Sequence, residues 1–183
     1  MVLEVGKSSL VVMDMQEKIY PKMAESKQLL KSIRDLLKIS GIMSIPSMMT
    51  EQNPTALGST IFDVRELVSS AEVFDKSTFS AYRSESFVNR MELLKNKGCT
   101  QVVLCGIEEH ICVMQTAMDL KDNGFTPIVA VDCCSSRALH SKQMAEMRMM
   151  TLGIEMLTNE MIAYEWLKDY KDERFKAVLE IVK

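Results

Sequence analysis

Apolar runs, most of them rich in β-branched residues, recur along the chain, and each is followed by a stretch with helical spacing. The runs are residues 9–14 (SLVVMD), 44–49 (SIPSMM), 72–74 (EVF), 101–105 (QVVLC), 126–131 (TPIVAV) and 154–157 (IEML). The second is the weakest, because proline and serine dilute it. Helical periodicity marks residues 26–40, 84–97, 109–123, 141–152 and 159–168. Gly41, Gly98, Gly124 and Gly153 stand between a helical pattern and the next strand, where a left-handed cap residue is expected. Strands alternating with helices predict βαβ units and a parallel sheet covered on both faces. With no linker, repeat or low-complexity segment, residues 1–183 read as one doubly wound, Rossmann-like α/β domain. The expected form is a three-layer sandwich around a six-stranded parallel sheet ordered 3-2-1-4-5-6.

In such a sheet, ligands bind beyond the carboxyl ends of the strands, near the switch in strand order. Residues just after each strand therefore come first: Asp14, Thr50 to Gln52, Asp75 and Lys76, residues 106–112 and residues 132–136. A carboxylate closing the buried run Leu10-Val11-Val12-Met13 is expensive unless paired, hydrogen-bonded or used. Asp14 reads equally as a turn cap or as a general base tuned by partial burial. Lys76 is either one more solvated loop lysine or, given its apolar and aromatic flanks, an ammonium turned into a pocket beside a carboxylate and a thiolate. Cys112 opens the helical stretch 109–123, where the dipole and unpaired N–H groups favour thiolate; the alternative is a core cysteine facing the sheet.

Composition narrows the classes. The charged share is 26% and the net charge −3, which gives no electrostatic reason to expect nucleic acid as a partner. The five cysteines form no C-x-x-C pair, and Cys99, Cys105, Cys133 and Cys134 lie in or beside apolar runs, as suits a reducing compartment. No stretch approaches the ~20 apolar residues of a membrane span, and no signal peptide is visible. The expectation is a cytoplasmic protein with no membrane partner, organellar import remaining open.

Three segments together carry a resemblance: Val11-Val12-Met13-Asp14-Met15-Gln16, Asp75-Lys76-Ser77-Thr78-Phe79-Ser80-Ala81 and Gly106-Ile107-Glu108-Glu109-His110-Ile111-Cys112-Val113. In order and spacing the chain resembles isochorismatase-like cysteine hydrolases from about Ser8 to about Tyr164. It is most similar to isochorismatase-domain-containing proteins of uncharacterised substrate, through Met49-Thr50-Glu51-Gln52 and Val131-Asp132-Cys133-Cys134-Ser135-Ser136-Arg137. The resemblance implies a catalytic triad of Cys112 as nucleophile, Asp14 as base and Lys76 as the cation beside both. It implies a cis peptide between Ile107 and Glu108, and an oxyanion hole made by the Glu108 and Cys112 N–H groups. Gln16, Gln52, Phe79 and Tyr82 sit in matching loops and are expected to line the substrate pocket. A homo-oligomer is implied, with the methionines of the 141–152 stretch as core or interface.

Three departures refine the reading. The aspartate and histidines that bind metal in family nicotinamidases are replaced here by Thr50-Glu51-Gln52, and the only histidines are His110 and His140. No metal and no cofactor are therefore expected. Many members carry threonine where Glu109 stands, which alters the charge before the nucleophile. No basic cluster matches a dicarboxylate; Arg83 and Arg137 are the nearby candidates, and surface roles are expected of both. The expected activity is hydrolysis of a small-molecule amide through a thioester. The alternatives are a vinyl-ether hydrolase of the isochorismatase type and a non-catalytic interaction protein that keeps the fold.

Overall fold

The computed structural model describes residues 2–183. Six strands form one parallel sheet: β1 (Ser8–Met13), β2 (Ser47–Gln52), β3 (Glu72–Lys76), β4 (Gln101–Ile107), β5 (Thr126–Ser135) and β6 (Glu155–Leu157). Their order is β3-β2-β1-β4-β5-β6, as expected of the doubly wound fold. Every residue of β1 and β4 is buried, which is why both read as continuous apolar runs rather than alternating ones.

The helices are α1 (Ser26–Ile42), the short α2 (Pro54–Leu57) and α3 (Phe62–Arg65), α4 (Glu85–Asn96), α5 (Met114–Asp122), α6 (Leu139–Thr151), α7 (Asn159–Leu167) and α8 (Phe175–Val182). In α1 the buried Leu29, Ile33, Leu36 and Leu37 repeat at helical spacing and form the stripe that meets the core. The α7 residue Trp166 is buried and donates its indole N–H to the Ser8 hydroxyl at 2.9 Å, so its polar atom is satisfied at the foot of β1.

Several boundaries differ from the pattern. Residues 43–46 close α1 instead of opening β2: the Met43 N–H donates to the Ile39 carbonyl and the Ile45 N–H to that of Ser40. Gly41 lies inside α1, and Ser44, at φ 57°, takes the left-handed conformation expected of that glycine. Strands β2 to β5 all run on past their apolar runs, so Thr50, Glu51, Gln52 and Lys76 belong to strands rather than loops. Backbone pairing continues through these polar residues, and hydropathy alone does not register that. The charged run 168–176 is mostly turn and bend, with Arg174 folded back on Asp172. The amphipathic α8 follows it and buries Val178 on the α1 side.

Gly106 marks where two strands press closest. Its φ is +114°, and a Cβ there would lie 2.2 Å from the Met13 carbonyl oxygen. Only glycine lets β4 pass this near the end of β1. Asp14 and the turn after β4 are thereby brought together.

Candidate active site

Asp14 follows β1 with φ 50°, a left-handed conformation that a short polar residue tolerates, and its N–H still donates to the Thr50 carbonyl on β2. Lys76 is the last residue of β3. Cys112 lies in a wide helical turn, Glu109–Val113, between β4 and α5. Because β1 lies between β2 and β4, the three carboxyl ends converge. The Lys76 Nζ sits 2.7 Å from Asp14 Oδ2 and 3.5 Å from Cys112 Sγ. All three residues are buried.

The ammonium faces two more acceptors, Gln52 Oε1 at 2.7 Å and the Thr78 carbonyl at 3.4 Å. Three N–H bonds thus meet four acceptors, and the sulfur and the Thr78 carbonyl are the long contacts. The second Asp14 oxygen accepts from Thr50 Oγ1 at 2.7 Å. Thr50 thus holds the carboxylate in place; its sequence signals are a polar residue near a buried strand end and its place in the matching segment 49–52, neither of which gives it a role.

Burial and the Asp14 carboxylate push the Cys112 thiol up to about 12, and Lys76 only partly opposes them. This runs against the thiolate-favouring effect expected at a helix start. The helical turn and one lysine do not outweigh desolvation beside a carboxylate. The Asp14–Lys76 ion pair lies beside the Cys112 thiol, which burial favours in its neutral form and which is within hydrogen-bonding reach of Asp14. Burial also raises the thiols of Cys105, Cys133 and Cys134.

The peptide between Ile107 and Glu108 is cis. The Glu108 carbonyl accepts from the Ile111 and Val113 N–H groups at 3.0 and 3.3 Å, closing the wide turn that carries Cys112. The Glu108 carboxylate turns away and accepts from the Arg137 N–H at 2.9 Å and its guanidinium at 3.1 Å. Arg137 is thus more than a surface cation: it holds the residue carrying one expected oxyanion donor. Arg83 does pair at the surface, with Asp119.

The expected pocket residues divide. Phe79 is exposed, on the loop whose Thr78 carbonyl covers Lys76. Gln52 touches the site by accepting from Lys76, while its amide N–H donates to the Ser77 carbonyl. Gln16 has no free polar atom to offer a ligand: its amide donates to the Gln52 and Gly58 carbonyls and accepts from the Gln52 N–H, bracing the loops. Tyr82 turns toward α4, donating its hydroxyl to Glu92 at 2.8 Å and meeting Phe125 edge-on. In each case a polar side chain takes the nearest partner. The Glu51 carboxylate accepts from the Thr60 N–H and hydroxyl, each at 2.7 Å.

Known proteins share this arrangement of strands. The isochorismatase domain profile matches residues 8–161. Isochorismatase domain-containing protein 2 of Rattus norvegicus is 32% identical, over 96% of this chain and 81% of its own. A structure described as MAR1 ribonuclease from Caenorhabditis elegans superposes with a TM-score of 0.92 at 29% identity, covering 100% of this chain and 92% of that one. The YcaC protein of Escherichia coli, described as an octameric hydrolase of unknown specificity, superposes with a TM-score of 0.89 at 19% identity, covering 97% and 87%.

Proposed function

The chain belongs to the isochorismatase family of hydrolases, and we propose that it is a cysteine hydrolase of small-molecule amides. The observation that carries the reading is the Lys76 ammonium, 2.7 Å from a buried carboxylate and 3.5 Å from a buried thiol at three strand ends. As the Cys112 sulfur attacks the amide carbonyl, Asp14 takes the thiol proton, and Lys76 steadies both the carboxylate and the sulfur. The Glu108 and Cys112 N–H groups receive the developing oxyanion, an effect worth about 2.7–4 kcal/mol per donor. The tetrahedral adduct collapses, the C–N bond breaks, and Asp14 passes its proton to the leaving amine. Asp14 then draws a proton from water, whose oxygen attacks the thioester, giving the acid and restoring the thiol. Every proton moves between groups of this chain, substrate and water, so no metal or cofactor is invoked.

The test is an amide screen in the presence of a chelator, followed by intact-mass measurement of the rapidly quenched enzyme. An acyl mass located on Cys112 is the expected result. Amide turnover without any adduct on a cysteine would overturn the thioester step, and turnover confined to a vinyl ether added to the panel would favour the chemistry of isochorismatases, which does not rely on a cysteine. No turnover across the panel would favour an interaction protein. The description of the nematode structure as a ribonuclease makes RNA a necessary member of the panel. The net charge of −3 argues against it as the substrate here.

The small-molecule hydrolase is also proposed to be a homo-oligomer, as the E. coli octamer is. On α6, Met149 is buried in the core, while Met144, Met147 and Met150 are each about half exposed. Exposed methionines on one helix supply an adaptable apolar surface. Light scattering should give a particle at least twice the 20.7 kDa of the chain at micromolar concentration. A 20.7 kDa particle at every concentration would refute the assembly.

A further inference from the structure

Three consecutive residues before the nucleophile are tied to one later segment. Glu108 holds Arg137, the His110 Nδ1 lies 2.9 Å from the Ser136 hydroxyl, and Glu109 lies 3.3 Å from the Lys142 ammonium. The third tie differs from the others. The Glu109 side chain is wholly buried, and its oxygens rest on the charge of Lys142 rather than on well-formed hydrogen bonds. Lys142, on α6, also donates to the Val131 and Cys134 carbonyls near the end of β5. The charged and titratable groups facing Glu109 are Lys142 and Glu146 from α6 and the Cys134 thiol from β5. Lys142 in turn stands 3.6 Å from Glu146.

We propose that Glu109 is a positioning residue whose ionised carboxylate, clamped by Lys142, holds the Cys112 turn against β5 and α6, and whose protonation releases that hold. The inference rests on Cys112 being the nucleophile. Glu109 opens the turn that carries Cys112, so a shift of its carboxylate moves the sulfur relative to Lys76 and Asp14. Asp14 and Lys76, not Glu109, are the charges that act on the thiol, so the effect is one of placement rather than field.

Burial raises the Glu109 carboxyl to about 7, with Lys142 opposing and Glu146 adding. The clamp is therefore charged above about pH 7 and released below it. The stability sign is opposite. A carboxyl raised in the fold stabilises the protein most below its ordinary value, and that contribution is lost as pH rises toward the raised one. At pH 8 the ionised clamp thus costs stability while it places the sulfur.

The experiment is site-resolved iodoacetamide labelling of Cys112 in the full chain, from about pH 5.5 to about 8.5, across the range where a group near 7 titrates. Wild-type labelling should show, above the steady rise of a high thiol, a step near pH 7. Glu109→Gln should remove the step, lower the rate at pH 8 by about tenfold, less than the ~100-fold of a ~1 Å misplacement, and raise Tm at that pH. Lys142→Arg should retain the step. Glu146→Gln, at the partly exposed end of the cluster, should move it to lower pH by removing a like charge. A uniform fall at every pH with a lower Tm in Glu109→Gln, or an unmoved step in Glu146→Gln, would overturn the proposal. Lys76→Met separates the two readings. If it leaves Cys112 labelling unchanged, the nucleophile assignment fails, whereas a slowed Lys76→Met beside an unaltered Glu109→Gln profile sinks the clamp alone.

Discussion

Cys112→Ala should reduce amide turnover by at least about 10³-fold, and adding Asp14→Asn or Lys76→Met to it should change little more. The reason is that the three groups act as one unit. Without the sulfur there is no acyl acceptor, and Asp14 and Lys76 have no thiol left to serve. Residual turnover would come from binding and the oxyanion donors, which remain in place. Steady-state and single-turnover kinetics on the single and combined variants decide this. Separate losses that multiply would show that Asp14 or Lys76 works independently of the sulfur. A Cys112→Ala enzyme with more than about a tenth of wild-type kcat/KM would remove covalent catalysis altogether.

Lys76→Met should destabilise the fold by about 3–5 kcal/mol, because it leaves the Asp14 carboxylate buried without its cation. The Thr50 hydroxyl remains, yet one neutral donor does not replace an ammonium at 2.7 Å. At about 2–4 °C per kcal/mol for a chain of this size, Tm should fall by roughly 6–20 °C. Combining Lys76→Met with Asp14→Asn should recover much of the loss, since the double variant buries no unpaired charge. Thermal and denaturant unfolding of the four proteins measures the coupling. A Lys76→Met melt within about 2 °C of wild type, under 1 kcal/mol on that scale, would mean that water reaches Asp14 and that the pair is not desolvated.

Much of this protein is legible from residue order alone. The alternation of apolar runs with helical spacing is local, and it predicts the βαβ architecture; the strand order found is the one expected of the doubly wound fold. The same local logic places Asp14, Lys76 and Cys112 at strand ends. Their convergence spans 62 and 36 residues of separation, and a parallel sheet with β1 at its centre makes it a consequence of topology. Where hydropathy stops, so does the reading: strands that continue through Thr50, Gln52 and Lys76 are sustained by backbone pairing and polar partners.

Only the tertiary structure decided how these groups behave. Gln16 and Tyr82 lie in loops that match the family, yet the nearest partner of each is a loop carbonyl or Glu92 rather than the site. The position of Cys112 in a helical turn suggested a thiolate, but the degree of burial and the closeness of Asp14 set its proton, and neither is a property of the local sequence. Glu109 and Lys142 stand 33 positions apart in the chain and meet only because β5 carries α6 back over the nucleophile turn. Periodicity reports which side of an element is buried. Which charge meets which, and how dry their meeting place is, depends on packing between distant elements, and that fixes the chemistry.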